Sequence, residues 1–107
     1  VYCKPSVNPI LSKFCTDLTA ITQDQVDNGV PLTEAIERHT AWLRSHDLLN
    51  TEGLEAARFA IVTWGDSDVM TALESEIQRL SIPRPPHFEQ WINLKALYKG
   101  HYKREPK

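Results

Sequence analysis

The stretch Arg58-Phe-Ala-Ile-Val-Thr-Trp-Gly-Asp-Ser-Asp68 constrains this chain most. A short run rich in Ile, Val, Thr and Trp stops at a glycine and passes at once into a helical pattern, as a buried parallel strand does when it feeds a helix. In open α/β sheets that junction is where ligands bind. Here it delivers two carboxylates one residue apart, Asp66 and Asp68.

The residues on either side supply the remaining elements. Lys4-Pro5 and Asn8-Pro9 exclude a central strand near the start, so residues 1 to 20 read as irregular packing loop. Thr22 with Gln25 three residues later matches a capping box, and Asn28-Gly29 matches the stop of that short helix. From Pro31 to about His46 a longer helix places Ala35, Ile36, His39, Thr40 and Leu43 on one stripe with Trp42 at its edge. Residues 47 to 57, with Asn50, Thr51 and Gly53, read as a loop in which Leu54 to Ala57 could add a helical turn.

After Asp68, Val69, Leu73, Ile77 and Leu80 repeat at helical spacing up to the stiff Pro83-Arg84-Pro85-Pro86 connector. Phe88 to Leu94 reads as a second strand, and Asn93 can cap a last helix from Leu94 to Tyr102. The order of loop, helix, helix, strand, helix, strand, helix places the chain in the α/β class.

Composition narrows the function classes. With 107 residues, 41% of them hydrophobic and 24% charged, one domain with a modest core is expected. The formal charge of −2 provides no global attraction for a polyanion, so such a contact needs a local patch or a metal. The longest apolar stretch, Ala56 to Trp64, is interrupted by Arg58 and is less than half the roughly 20 residues a membrane span needs, so no membrane segment is expected. Cys3 and Cys15 match no zinc or redox spacing, which favours an intracellular setting, cytoplasm or nucleus. The opening on Val1 rather than Met makes residues 1–107 read as the middle part of one longer domain.

Two features could carry chemistry. Asp68, in the first turn of its helix at the strand exit, suits a divalent cation because hard cations take carboxylate oxygens; the ordinary alternative is that Asp66, Ser67 or Asp68 caps the helix. From Lys95 to Lys107, five Lys or Arg stand against the single acid Glu105, with Tyr98 and Tyr102 interleaved. Cations beside stacking rings are what single-stranded nucleic acid binding uses, and a solvated helix face is the alternative. The histidines fit no zinc or catalytic-triad spacing; His39 reads as a packing residue, and His46, His87 and His101 sit near loops or ends.

Three segments carry a resemblance: Phe14-Cys-Thr-Asp-Leu-Thr-Ala-Ile-Thr-Gln-Asp-Gln-Val-Asp27, Thr63-Trp-Gly-Asp-Ser-Asp68, and Trp91-Ile-Asn-Leu-Lys95 with Tyr98 to Tyr102. In this order they resemble the 3′-to-5′ exonucleases of the histone-mRNA and RNA-interference-associated group. That group lies within the Asp-Glu-Asp-Asp-His superfamily of ribonuclease H-like fold. The resemblance implies an exonuclease fold that is incomplete here, with parallel strands and flanking helices but without its opening strands and C-terminal helices.

It also implies removal of nucleotides one at a time from single-stranded RNA 3′ ends. Two Mg²⁺ ions, with Mn²⁺ as an alternative, would be held by four carboxylates, and a His would activate water. Asp68, not Asp66, matches the metal-binding aspartate of the second motif. Thr19 and Ile21 match the segment against the terminal nucleotide, and Lys99 and Lys103 are the candidate RNA contacts of the basic patch.

The departures are equally specific. Ala20 occupies a usual Gly, and Ser67 stands where an aromatic residue often precedes the Asp. The Asp-x-Glu and His-x-x-x-x-Asp motifs are missing from the chain, so these 107 residues alone are expected to be inactive. Two other readings follow: a catalytically inactive exonuclease-like subunit that binds RNA or protein, or a structural subunit whose incomplete sheet is covered by a partner or another chain segment.

Overall fold

The computed structural model describes residues 1–52 and 54–106; Gly53 of the expected loop and Lys107 of the expected basic segment lie outside the described residues. The chain divides into two compact units, Val1–Asp47 and Leu48–Lys107.

The first unit contains α1 (Lys13–Thr19), α2 (Gln23–Asp27) and α3 (Leu32–Ser45). The capping box forms as expected: Thr22 Oγ1 accepts from the Gln25 N–H at 3.2 Å, and Gln25 Oε1 accepts from the Thr22 N–H at 2.9 Å. On α3 the expected stripe faces inward, with Ile36 and Leu43 buried and Ala35, His39 and Thr40 half-buried. Each buried aliphatic side chain there contributes about 1.5–3 kcal/mol.

The opening segment differs from the loop expected of it. Ser12 caps α1 by accepting the Cys15 N–H at 3.1 Å, and the helix buries no residue, so no apolar periodicity announces it. Before it, Cys3 and Val30 form an isolated parallel bridge, flanked by Val30 N–H to Tyr2 O at 2.9 Å and Lys4 N–H to Val30 O at 2.8 Å. Gly29 makes this approach feasible, since a Cβ there would lie 2.7 Å from Tyr2 O.

The second unit runs through β1 (Ile61–Thr63), a π-helical segment (Ser67–Leu73), α4 (Glu74–Leu80), a 3₁₀ turn (Pro86–Phe88), β2 (Trp91–Asn93) and α5 (Leu94–Tyr102). The strands pair in parallel, Ile61 with Trp91, Val62 with Ile92 and Thr63 with Asn93. Val69 and Ile77 are buried along the helix that follows β1, with Leu73 half-buried between them. The Arg84 guanidinium pins the proline connector to α4 by pairing with the Glu74 carboxylate, and donates to the Phe88 carbonyl at 2.6 Å. His87, expected near a loop, is buried with its ring 4.6 Å from Phe88 and 6.5 Å from Phe59.

Two local readings are corrected here. The strand is three residues long and half-covered rather than buried, because β1 and β2 form a two-stranded sheet. Its burial alternates, and Val62 and Ile92, paired side by side, occupy the open face. Among the described residues of 48–57, the turn expected at Leu54 to Ala57 is not helical: Asn50 Oδ1 accepts the N–H groups of Glu52 and Leu54 at 2.9 and 3.0 Å, and Leu49 bridges Glu55 in antiparallel fashion. Among the described residues, no helix is long and apolar enough to cross a membrane.

Candidate functional site

The end of β1 is shaped by one glycine. Gly65 has φ +103°, a conformation L side chains rarely adopt, and the Thr63 hydroxyl donates to its carbonyl at 2.5 Å. The chain turns there into the helix, where the Met70 N–H donates to the Asp66 carbonyl at 2.8 Å. Asp66 holds the N-cap position without capping through its side chain. Its Oδ1 instead accepts the Trp91 indole N–H at 2.9 Å, which ties the exit of β1 to the start of β2.

Asp68 is not engaged in this way. It is exposed in the first turn of the π-helical segment, and no described residue donates a hydrogen bond to its carboxylate. The positive end of the helix favours an anion at this position. π-Helical turns are rare and concentrate at functional sites.

A divalent cation would find one suitable oxygen donor group here. Mg²⁺ takes six oxygens and keeps several as water, so a single exposed carboxylate can form one corner of its shell. Among the described residues, no group of three or more His, Cys, Asp or Glu side chains converges on a common point. These residues therefore offer one carboxylate ligand and do not by themselves make a metal site.

Thr19 and Ile21 belong to the first unit and are described within it. Thr19 Oγ1 donates to the Cys15 carbonyl at 2.7 Å and accepts the Ile21 N–H at 3.2 Å, so this hydroxyl closes α1 and sets the path of the next two residues. Ala20 between them is left-handed, at φ +60°, where the family pattern has Gly. Ile21 is half-buried.

The basic segment is ordered by its helix. Asn93 caps α5 as expected, its Oδ1 accepting the Ala96 N–H at 3.0 Å. Lys99 Nζ lies 2.6 Å from Glu105 Oε1, and that hydrogen bond holds the Glu105 carboxyl below the usual carboxylate range, with the charges of Lys99 and Lys95 adding to the effect. Lys103 ends the helix at φ +58° and is exposed.

A set of rings runs beside these cations. Trp64 meets Tyr98 edge-on at 6.0 Å, Tyr98 lies 4.6 Å from Tyr102, and the Arg104 guanidinium sits 5.8 Å from the Tyr102 centroid. From the sequence, Trp64 reads as part of the apolar strand, and Trp91 as part of the second strand and of the third resembling segment, without a side-chain partner. The contact of Asp66 with Trp91 spans 25 residues, beyond any local pattern.

The exonuclease family model (RNase_T) matches residues 1–106. The chain is 41% identical over 115 residues to ERI1 exoribonuclease 2 of Danio rerio, a match covering 99% of this chain and 21% of that protein. It is 37% identical over 114 residues to the 3′-5′ exonuclease Snipper of Drosophila melanogaster, covering 98% of this chain and 40% of that one. The chain thus spans from about a fifth to two fifths of these relatives.

Two solved structures are also similar. The nuclease domain of 3′hExo, a DEDDh family member, bound to rAMP, matches with a TM-score of 0.81 at 29% identity, over 95% of this chain and 48% of that chain. The 3′-exonuclease whose structure concerns 3′-end specific recognition of histone mRNA stem-loop matches with a TM-score of 0.83 at 30% identity, over 98% of this chain and 34% of that chain.

Proposed function

This chain belongs to the exonuclease family, among the DEDDh 3′-5′ exonucleases of the ERI1 group, and on that premise we propose that its protein is a 3′-5′ exoribonuclease acting on single-stranded RNA 3′ ends. Residues 1–107 are the middle part of one exonuclease domain, and the remaining metal ligands come from outside them. The observation that carries this reading is the strand exit, where Gly65 turns the chain and leaves the Asp68 carboxylate exposed at the helix start without a hydrogen-bond donor among the described residues. The RNA acted on by ERI1 exoribonuclease relatives supports the substrate class.

In this reading Asp68 is the residue of this chain that holds a divalent cation, Mg²⁺ with Mn²⁺ as an alternative. When bound, the metal pair supplies a polarised phosphoryl group and an activated water. Asp66 is not given that role: it does not stand at the motif position, and its Oδ1 already accepts the Trp91 indole N–H. Thr19 and Ile21 position the terminal nucleotide, and Lys99 and Lys103 hold phosphates of the preceding strand through charge.

The test is digestion of a 5′-end-labelled single-stranded RNA with a free 3′ end by the full-length protein with Mg²⁺, with and without EDTA. Asp68→Asn is expected to lower turnover by roughly 100-fold or more. Retention of RNA without shortening under Mg²⁺ or Mn²⁺ would instead identify a catalytically inactive binding subunit, and unchanged turnover in the variant would remove Asp68 from the metal site.

A further inference from the structure

We propose that Trp64 and the tyrosines of α5 form a stacking platform for unpaired bases, so that the protein grips the single-stranded segment behind the reacting 3′ end by its base faces as well as its phosphates. The inference rests on the RNA-substrate reading above and deepens it, adding a site that Lys99 and Lys103 alone do not describe.

Four observations converge. Trp64 follows β1 directly, and within this chain its ring is about half exposed. It stands four residues before Asp68, at the same strand exit. Its ring continues into Tyr98 at 6.0 Å and from there into Tyr102 at 4.6 Å, and Tyr102 is itself 54% exposed. Cations accompany the series, with Arg104 at 5.8 Å from the Tyr102 ring, Lys99 on the same helix and Lys103 at its C-terminal cap.

The chemistry selects the occupant. Exposed rings alone would suit any apolar partner, but rings interleaved with Lys and Arg match a ligand carrying flat π-faces on an anionic backbone. That ligand is single-stranded nucleic acid. The tyrosines are four residues apart on a helix, which separates them by about 6 Å along its axis. The platform therefore accommodates only a few nucleotides. Because every base has a π-face, the grip is tolerant of sequence, and it excludes duplex, whose base faces are already stacked.

The experiment measures equilibrium binding of a short uniform-sequence single-stranded RNA to the full-length protein in EDTA, which prevents turnover. Readouts are anisotropy of labelled RNA and quenching of tryptophan fluorescence. The competitors are the same RNA with abasic sites at consecutive positions, and a blunt RNA duplex. Trp64→Leu and Tyr102→Leu are each expected to weaken binding roughly 5- to 100-fold while leaving its salt dependence unchanged. Trp64→Phe should recover much of the loss, which separates a lost ring from a lost fold.

Abasic RNA should bind the unaltered protein weakly and be nearly indifferent to Trp64→Leu. Equal loss of abasic and normal RNA on Trp64→Leu, or no loss of either, overturns the platform. Mg²⁺-dependent shortening of the same RNA is assayed separately, so a protein that stacks RNA without degrading it would refute the exonuclease reading and leave the platform standing.

Discussion

The Trp91 indole N–H donates to Asp66 Oδ1 at 2.9 Å, joining the first residue of β2 to the turn that leaves β1. The bond explains how two aspartates one residue apart come to differ: one carboxylate ties the two strand segments together, and the other is left for solvent or a ligand. A typical hydrogen bond contributes about 0.5–1.5 kcal/mol net, and the charge of the acceptor here is offset by solvent exposure. Trp91→Phe and Asp66→Ala should each lower the unfolding midpoint of the domain, and the double variant should lose less than their sum. A double-mutant cycle measured by denaturant unfolding checks this; strictly additive losses would show that the contact contributes nothing.

Gly65 and Gly100 are expected to respond to alanine with opposite signs. A Cβ at either position meets nothing within 4 Å, so steric clash decides neither case. Gly65 sits at φ +103°, and Gly65→Ala should cost about 1–2 kcal/mol through backbone strain and displace Asp68 from its place at the strand exit. Gly100 lies inside α5, and Gly100→Ala should stabilise by about 0.5–1 kcal/mol. Thermal unfolding of the two variants side by side measures both, and a stabilising Gly65→Ala would contradict the strain argument.

Ala20→Gly should relieve a strained helix end. Ala20 ends α1 at φ +60°, a region costly for a residue with a Cβ. Glycine removes that cost, of about 1 kcal/mol, but regains roughly 0.4–1 kcal/mol of unfolded-state freedom. The expected net gain is therefore small, a few tenths of a kcal/mol, whereas Ala20→Val should destabilise clearly. Comparing the two by denaturant midpoint distinguishes strain from simple helix propensity, which would make glycine the worse residue.

What the sequence makes legible is local. The Thr22 and Gln25 box, the α3 stripe through Ile36 and Leu43, and the Asn93 cap with its helix to Tyr102 all rest on side chains a few residues apart, and all form as read. α1 escapes notice because it buries nothing and its signal reduces to the single Ser12 cap, outweighed by Pro5 and Pro9. The strand reads too long and too buried because its covering depends on neighbours across the sheet, not on its own residues.

At the candidate site, the Gly65 turn and Asp68 can be read from one stretch of chain. What engages Asp66 cannot, since Trp91 lies 25 residues further on. The ring series from Trp64 to Tyr98 is hidden for the same reason.

His39 makes the first unit sensitive to acid. It is half-buried on α3, and burial lowers its pKa below the ordinary value of 6.5. Well above pH 6.5 the imidazole is neutral in both folded and unfolded chains, so it adds no pH dependence there. As pH falls below that value the unfolded chain takes up a proton the folded one resists, and stability declines until the folded-state pKa is passed. His39→Gln should flatten the stability profile as pH falls below about 6.5. Unfolding midpoints across that range check the sign, and a profile that rises toward acid would reverse the assignment.

Glu105 competes with RNA for Lys99. Its carboxylate lies 2.6 Å from Lys99 Nζ, both groups are largely exposed, and the hydrogen bond keeps the carboxyl below its usual range, so the pair persists at neutral pH. A phosphate approaching Lys99 must displace this carboxylate and sits beside its negative charge. Solvent screens an exposed pair of this type, so its effect on a competing equilibrium is modest, roughly 1.4- to 5-fold. Glu105→Gln should therefore raise affinity for single-stranded RNA by that factor at low salt, and the gain should fade as salt screens the pair. In a protein that already carries Lys99→Gln, the further change Glu105→Gln should have no such effect. Binding titrations of the unaltered protein, the two single variants and the double variant at two salt concentrations read this directly. An affinity that falls on Glu105→Gln would show that Glu105 orders Lys99 for RNA instead of occupying it.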